Sequence, residues 1–355
     1  MIMQKVENVV AGISHVNSRM MSKAQKKLDN LTKPQQSLGK LEEFAKRVAG
    51  ITGRTEPSLK SKVIFTMAGD HGVARQNVSL FPQEVTAQMI YNFLNGGAGV
   101  NVLAKHIGAR VVVVDMGTAA KISTKSRSFI DKKIGWGTAD MAIGPAMSRK
   151  EAMTAVESGM EVFEKEKMRN NIDIVGLGEM GIANTTAASA ITSCITGAAP
   201  EDVTGRGTGI GDKQLKNKIE TIKKALKINH PDAKDPLDVL SKVGGFEIGG
   251  LAGLILASAH EKIPVVVDGF ITASAALIAT QMSPVCKEYL FASHNSVEKG
   301  HRIALGWLGL EPMFDFNMRL GEGTGACLGI SMIEAGVKIL TEMATFEDAK
   351  VSREK

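Results

Sequence analysis

Cysteine is scarce: Cys194, Cys286 and Cys327 are the only three in 355 residues, far apart and set among apolar or small neighbours. That spacing supplies neither a disulfide framework nor a CxxC or Cys/His zinc site. Aromatic residues make up only 5%, and Lys and Arg are dispersed among acids. A nucleic-acid binder, with its basic stripe and stacking platform, is not indicated. The formal net charge of +6 is explained as well by an anionic small substrate. Long hydrophobic runs are missing too. The two longest, Gly249–Ala259 and Ile263–Thr280, are interrupted by polar residues or carry Asp268 and Gly269, so neither reads as a membrane span. The apolar patch Val9–Ile13 is short and is followed by His15, so no signal peptide and a cytoplasmic location are expected. No repeat or low-complexity tract is present.

What the chain does have is 44% hydrophobic residues and 37 glycines, enough for the core of a large globular enzyme. Leu28, Leu31, Leu38, Leu41, Phe44 and Val48 keep helical spacing around a break at Pro34, which predicts two helices and a turn. From Ser61 onward short β-branched runs take over. Val63–Asp70, Arg110–Gly117, Ile172–Glu179 and Pro264–Phe270 read as buried parallel strands. Helical segments at Pro82–Lys105, Ser148–Lys165 and Thr185–Thr196 separate them, so the fold is α/β, a Rossmann-like parallel sheet flanked by helices. Lys213–Asp235 reads as a solvated helix ending at His230 and Pro231, and Gly325–Phe346 as a C-terminal helix. Residues 1–55 and 326–355 are expected to form a small helical domain beside a catalytic domain at 56–325.

Ligands of an open parallel sheet bind beyond the carboxyl ends of its strands, where four acids fall: Asp70, Asp115, Glu179 and Asp268. Each alone is explained as a helix cap or loop brace; together they mark the functional edge. Gly176-Leu-Gly-Glu-Met-Gly-Ile-Ala-Asn-Thr-Thr places glycines and an acid ahead of a helix that Asn184 or Thr185 would cap, a turn suited to phosphate. Gly205-Arg-Gly-Thr-Gly-Ile-Gly-Asp is a second permissive loop, with Arg206 as a cation. Neither is a P-loop, and Glu179 inside the first opposes a pyrophosphate. Arg319-Leu-Gly-Glu-Gly-Thr-Gly sets Glu322 between Gly321 and Gly323, which lets a planar ligand come close. His71 and His294 read as loop hydrogen-bonders, and Lys218 as a solvated charge.

Together these segments resemble the nicotinate-nucleotide:dimethylbenzimidazole phosphoribosyltransferases over nearly the whole chain. The matching motifs are Thr32-Lys-Pro-Gln-Gln-Ser-Leu-Gly-Lys-Leu-Glu, Ala68-Gly-Asp-His-Gly-Val, Gly144-Pro-Ala-Met-Ser, Gly178-Glu-Met-Gly-Ile-Ala-Asn-Thr-Thr, Val243-Gly-Gly-Phe-Glu, Val267-Asp-Gly-Phe, Ser293-His-Asn-Ser-Val-Glu-Lys-Gly-His and Met318-Arg-Leu-Gly-Glu-Gly-Thr-Gly. The first departs from the family's Lys-Pro-x-Gly-Ser-Leu-Gly by placing Gln36 at the glycine position. The resemblance implies a homodimer whose small domain is built from both chain ends. It implies transfer of the 5-phosphoribosyl group of nicotinate mononucleotide to dimethylbenzimidazole or a related aromatic base for cobamide assembly, without metal or cofactor. Glu322 would be the general base with Glu179 close by, raising its basicity by like-charge repulsion. Gly181 and the neighbouring backbone at Gly178, with Ser296 and Lys218, would hold the ribose phosphate, and Asp268 would shape the edge of the site. Leu80, Phe81, Met89 and Met180 are candidates for packing the base, although Met89 also reads as ordinary core. Three alternatives stand beside this reading: a phenol- or p-cresol-activating variant, a non-catalytic partner subunit in a heterodimer, and a nucleotide-dependent oxidoreductase. The oxidoreductase lacks a clean dinucleotide fingerprint, and the presence of both glutamates weighs against the inert subunit.

Overall fold

The computed structural model describes residues 2–352; residues 1 and 353–355, at the tips of the two outer segments, lie outside the described residues. Six strands are present among the described residues: β1 (Lys62–Gly69), β2 (Arg110–Gly117), β3 (Phe129–Asp131), β4 (Ile174–Met180), β5 (Val265–Val267) and β6 (Leu290–Ala292). They form one parallel sheet in the order β3-β2-β1-β4-β5-β6. β1 is buried along its whole length and β4 up to its last residue, as continuous apolar runs require when helices cover both faces. The four strand-like runs correspond to β1, β2, β4 and β5. β3 and β6, three residues each, are too short to leave a periodic signal.

Helices Phe246–His260 and Phe270–Met282, apolar on every side, are core helices and not spans. The first packs on β1, β2 and β4, while Thr324–Glu342 packs on β1, β4, β5 and β6. Thr324–Glu342 is the one described helix long and apolar enough to cross a membrane. The predicted helix Pro82–Lys105 is instead two, Glu84–Leu94 and Gly99–His106, because Gly96 takes a left-handed φ of 78° and ends the first.

The Pro34 break separates helices Ser18–Asp29 and Lys40–Thr52. Leu28, Leu31, Ala45, Ala49 and Leu340 form a second, smaller apolar cluster, where these helices meet the far half of Thr324–Glu342. The Pro34 turn is braced by a buried Lys33–Glu42 ion pair at 2.8 Å. Gln36 adopts φ 58°, the left-handed conformation that glycine enters freely. A glycine, as in the family's motif, would enter this conformation without the Cβ cost that Gln36 carries.

Candidate active site

The strand order reverses between β1 and β4, and a crevice opens there by construction. A cavity of about 450 Å³ lies beyond the ends of β4 and β6, a size suited to a small organic ligand. Glu179, Met180 and Gly181 enter its wall from the end of β4. Glu179 has one hydrogen-bond partner among the described residues, the Asn184 side-chain amide. Burial, and then the negative charge of Asp268, push its carboxyl up to about 8, so it is protonated at neutral pH.

Glu322 is held in an unusual turn. Gly321, Glu322 and Gly323 have φ of 81°, 64° and 103°, three left-handed residues in succession. A residue with a Cβ costs about 1–2 kcal/mol there, so neighbours must enforce it. Thr66 Oγ1 donates to the Glu322 carbonyl at 3.0 Å. The Asp268 carboxylate accepts the N–H groups of Gly323 at 3.2 Å and Ala326 at 2.9 Å. Gly178, inside β4, lies so close under the Glu322 carbonyl that a Cβ would collide with it. The side chain is pinned as well, since Oε2 accepts the Val100 N–H at 3.0 Å at the start of helix Gly99–His106. The Gly99 N–H is a second backbone donor to this carboxylate. Burial raises the Glu322 pKa and the Val100 and Gly99 N–H groups oppose it. Like-charge repulsion between the two glutamates falls on Glu179, whose carboxyl Glu322 also pushes up. Leu320 and Gly321 belong to the cavity wall; Glu322, the next residue, does not.

Lys218 is fully buried, not solvated, against Gly207 of the cavity wall. Its Nζ donates to Thr185 Oγ1 at 2.7 Å. Burial pulls its pKa down to about 8, and Glu298 opposes the fall. A buried ammonium with so few partners is costly unless an anion joins it. Thr185, Ser296 and Glu298 all face the cavity, and Glu298 Oε1 accepts the Gly207 N–H at 2.8 Å. Arg206 turns away to the Ile210 carbonyl and Asp212. The helix Asn184–Thr196 is not capped by Asn184 or Thr185, which are engaged with Glu179 and Lys218. Its N-cap is Ala183 at φ 74°, without a side-chain hydrogen bond, so this helix end faces the cavity with no cap of its own.

A phosphoribosyltransferase family model matches residues 13–351. A relative from Geobacter metallireducens, named nicotinate-nucleotide:dimethylbenzimidazole phosphoribosyltransferase, is 54% identical over 351 residues, 99% of each chain. The chain belongs to this phosphoribosyltransferase family. A member of the same name from Geobacter sulfurreducens is 52% identical over 350 residues, again 99% of each chain. The crystal structure of such an enzyme from Thermus thermophilus matches with a TM-score of 0.90 at 40% identity, covering 95% of this chain and 100% of that one.

In this member of the phosphoribosyltransferase family the base-packing candidates are split. Phe81 and Met180 belong to the cavity wall, whereas Leu80 does not; Leu80 and Phe81 are about half exposed, at 50% and 52%. Met89 packs against the main core from helix Glu84–Leu94, outside the wall. Of the four strand-end acids, three brace loops. Asp70 accepts from Thr86 Oγ1 at 2.7 Å and the Ala119 N–H at 2.8 Å. Asp115 takes the Gly117 and Thr118 N–H groups and pairs with Lys133. Asp268 holds the Glu322 turn, so its part is structural support of the edge. His71, in the loop after β1, is a hydrogen-bonder as expected, its ring meeting buried Glu247 at 2.7 Å. His294 lies in the cavity wall. Sequence reasoning missed Glu298, although it lies inside a quoted motif. It also missed Thr66, Asn184, Thr185 and Val100 as partners, for which no spacing pattern exists.

Proposed function

We propose that this protein transfers the 5-phosphoribosyl group of nicotinate mononucleotide to dimethylbenzimidazole or a related aromatic base, releasing nicotinate. It acts in this reading as a cytoplasmic homodimer. The observation that carries the proposal is a cavity whose wall includes Leu320 and Gly321, next in the chain to the pinned Glu322, and Thr185 and Gly207, which lie against the buried Lys218. Family membership over nearly the whole chain supports the same reading.

The pyridinium nitrogen of nicotinate mononucleotide already bears positive charge, so nicotinate leaves C1′ with the bonding pair and needs no proton. One ring nitrogen of the incoming base forms the new bond to C1′ from the opposite face, and the other must lose its proton. Glu322 takes that proton on its carboxylate and passes it to solvent. Burial raises its basicity for the task. Glu179, neutral at pH 7, lines the ribose side without adding charge. Lys218, Ser296, the Gly181 backbone and the open end of helix Asn184–Thr196 hold the phosphate.

The test is a product assay of the purified chain with nicotinate mononucleotide and dimethylbenzimidazole, adenine, phenol or p-cresol. Nicotinate release that requires an acceptor is expected, and the panel names the preferred base. Inertness with every acceptor would overturn the reading.

A further inference from the structure

The segment Ser293–His301 carries three buried polar atoms without a partner among the described residues: His294 Nε2, Glu298 Oε2 and His301 Nε2. Each costs about 1–3 kcal/mol if left unpaired, and such a concentration calls for an explanation. Hydrogen positions follow from the neighbours. Ser293 Oγ donates its proton to the Asp268 carbonyl at 2.8 Å, so in its contact with His294 Nδ1 at 3.2 Å the ring must be the donor. A neutral imidazole with its proton on Nδ1 has a bare lone pair on Nε2. Burial keeps this ring neutral, pulling its pKa down to about 4 against the opposing charge of Asp315. His301 is the reverse case. Its Nδ1 accepts the Ser296 N–H at 3.0 Å, so its proton sits on Nε2.

Only His294 and Glu298 of the three belong to the cavity wall, and both unpartnered atoms are acceptors. Phosphate and carboxylate offer no donor to them, and a neutral lone pair repels an anion. The pyridinium ring of a nicotinate nucleotide has no N–H. Its ribose diol presents the remaining donors, two O–H groups for two acceptors.

We propose that His294 is a substrate-positioning residue that grips the ribose of the phosphoribosyl donor, its Nε2 accepting a hydrogen bond from a ribose hydroxyl. The inference rests on the donor being the nucleotide named above. A hydroxyl held there fixes the sugar relative to the phosphate on Lys218, so that C1′ faces the incoming base.

The experiment compares kcat/KM for nicotinate mononucleotide and its 2′-deoxy and 3′-deoxy analogues, in wild type and in His294→Phe. One deoxygenation is expected to cost wild type about 10-fold, the worth of one hydrogen bond, and to cost the variant less than about 2-fold. An equal penalty in both proteins, or no penalty in wild type with either analogue, overturns the proposal. If His294→Phe fails to fold, nitrogen-15 spectra of wild type decide. Binding of ribose 5-phosphate should shift the His294 Nε2 resonance, and the matching deoxy sugar should not; no difference overturns the idea. A wild type that binds the sugar phosphate with this shift but transfers nothing would sink the proposed reaction and leave the ribose grip standing.

Discussion

Among the residues with a side chain that this molecule holds in the left-handed region, Gln36 at φ 58° and Glu322 at φ 64° sit in turns of opposite character. At Glu322 every neighbour is engaged in holding it: Thr66 on its carbonyl, Asp268 on the next N–H, Val100 on its carboxylate. Gln36 is exposed, and no side-chain hydrogen bond holds it among the described residues. The backbone strain is similar, about 1–2 kcal/mol by type, yet only one turn is built around it. Strain that neighbours over-determine marks a side chain whose position matters; strain that they ignore marks a tolerated substitution.

The sharpest test of that contrast is Glu322→Gln, which keeps shape and removes the base. Nicotinate release should fall about 10²- to 10⁴-fold, read by chromatography under saturating substrates. Glu322→Gly relieves the backbone instead, and activity should fall as far while stability to urea changes by less than about 1 kcal/mol, because the lost Val100 contact offsets the relief. Thr66→Val loosens the clamp without touching the carboxylate; kcat should drop about 10-fold with KM nearly unchanged. Glu179→Gln addresses pH. A carboxyl raised from 4.5 to about 8 favours the fold fully below 4.5, progressively less as pH climbs from there to about 8, and no longer above it. Melting temperature of the wild type should therefore decline over that window, and the variant should decline less. The smallest effect is at the other turn: Gln36→Gly should stabilise the protein by about 0.5–1 kcal/mol and leave turnover alone. Loss of stability there would break the contrast.

Much of this could be read before any coordinates. β1, β2, β4 and β5 announced themselves because buried parallel strands need uninterrupted apolar runs, and the helices flanking Pro34 because their apolar spacing stops there. The glycines around Glu179 and Glu322 betrayed turns that a Cβ would obstruct. What stayed hidden depends on contacts distant in the chain. Lys218 looks solvated on its own polar helix and is buried only because the loop at Gly207 and the segment carrying Glu298 close over it. Asp268 looks like one more acid of the functional edge until the N–H groups of Gly323 and Ala326 claim it. The His294 tautomer depends on where Ser293 sends its proton.

Helix Thr324–Glu342 starts at the Asp268 clamp beside Glu322 and ends in the cluster with Leu28 and Leu31. Nineteen residues make a rod about 28 Å long. Tilting such a lever by about 2° displaces its tip by about 1 Å, the scale on which proton transfer succeeds or fails. The same helix thus joins the turn that carries Glu322 to the apolar cluster at the far end of the molecule's outer helices.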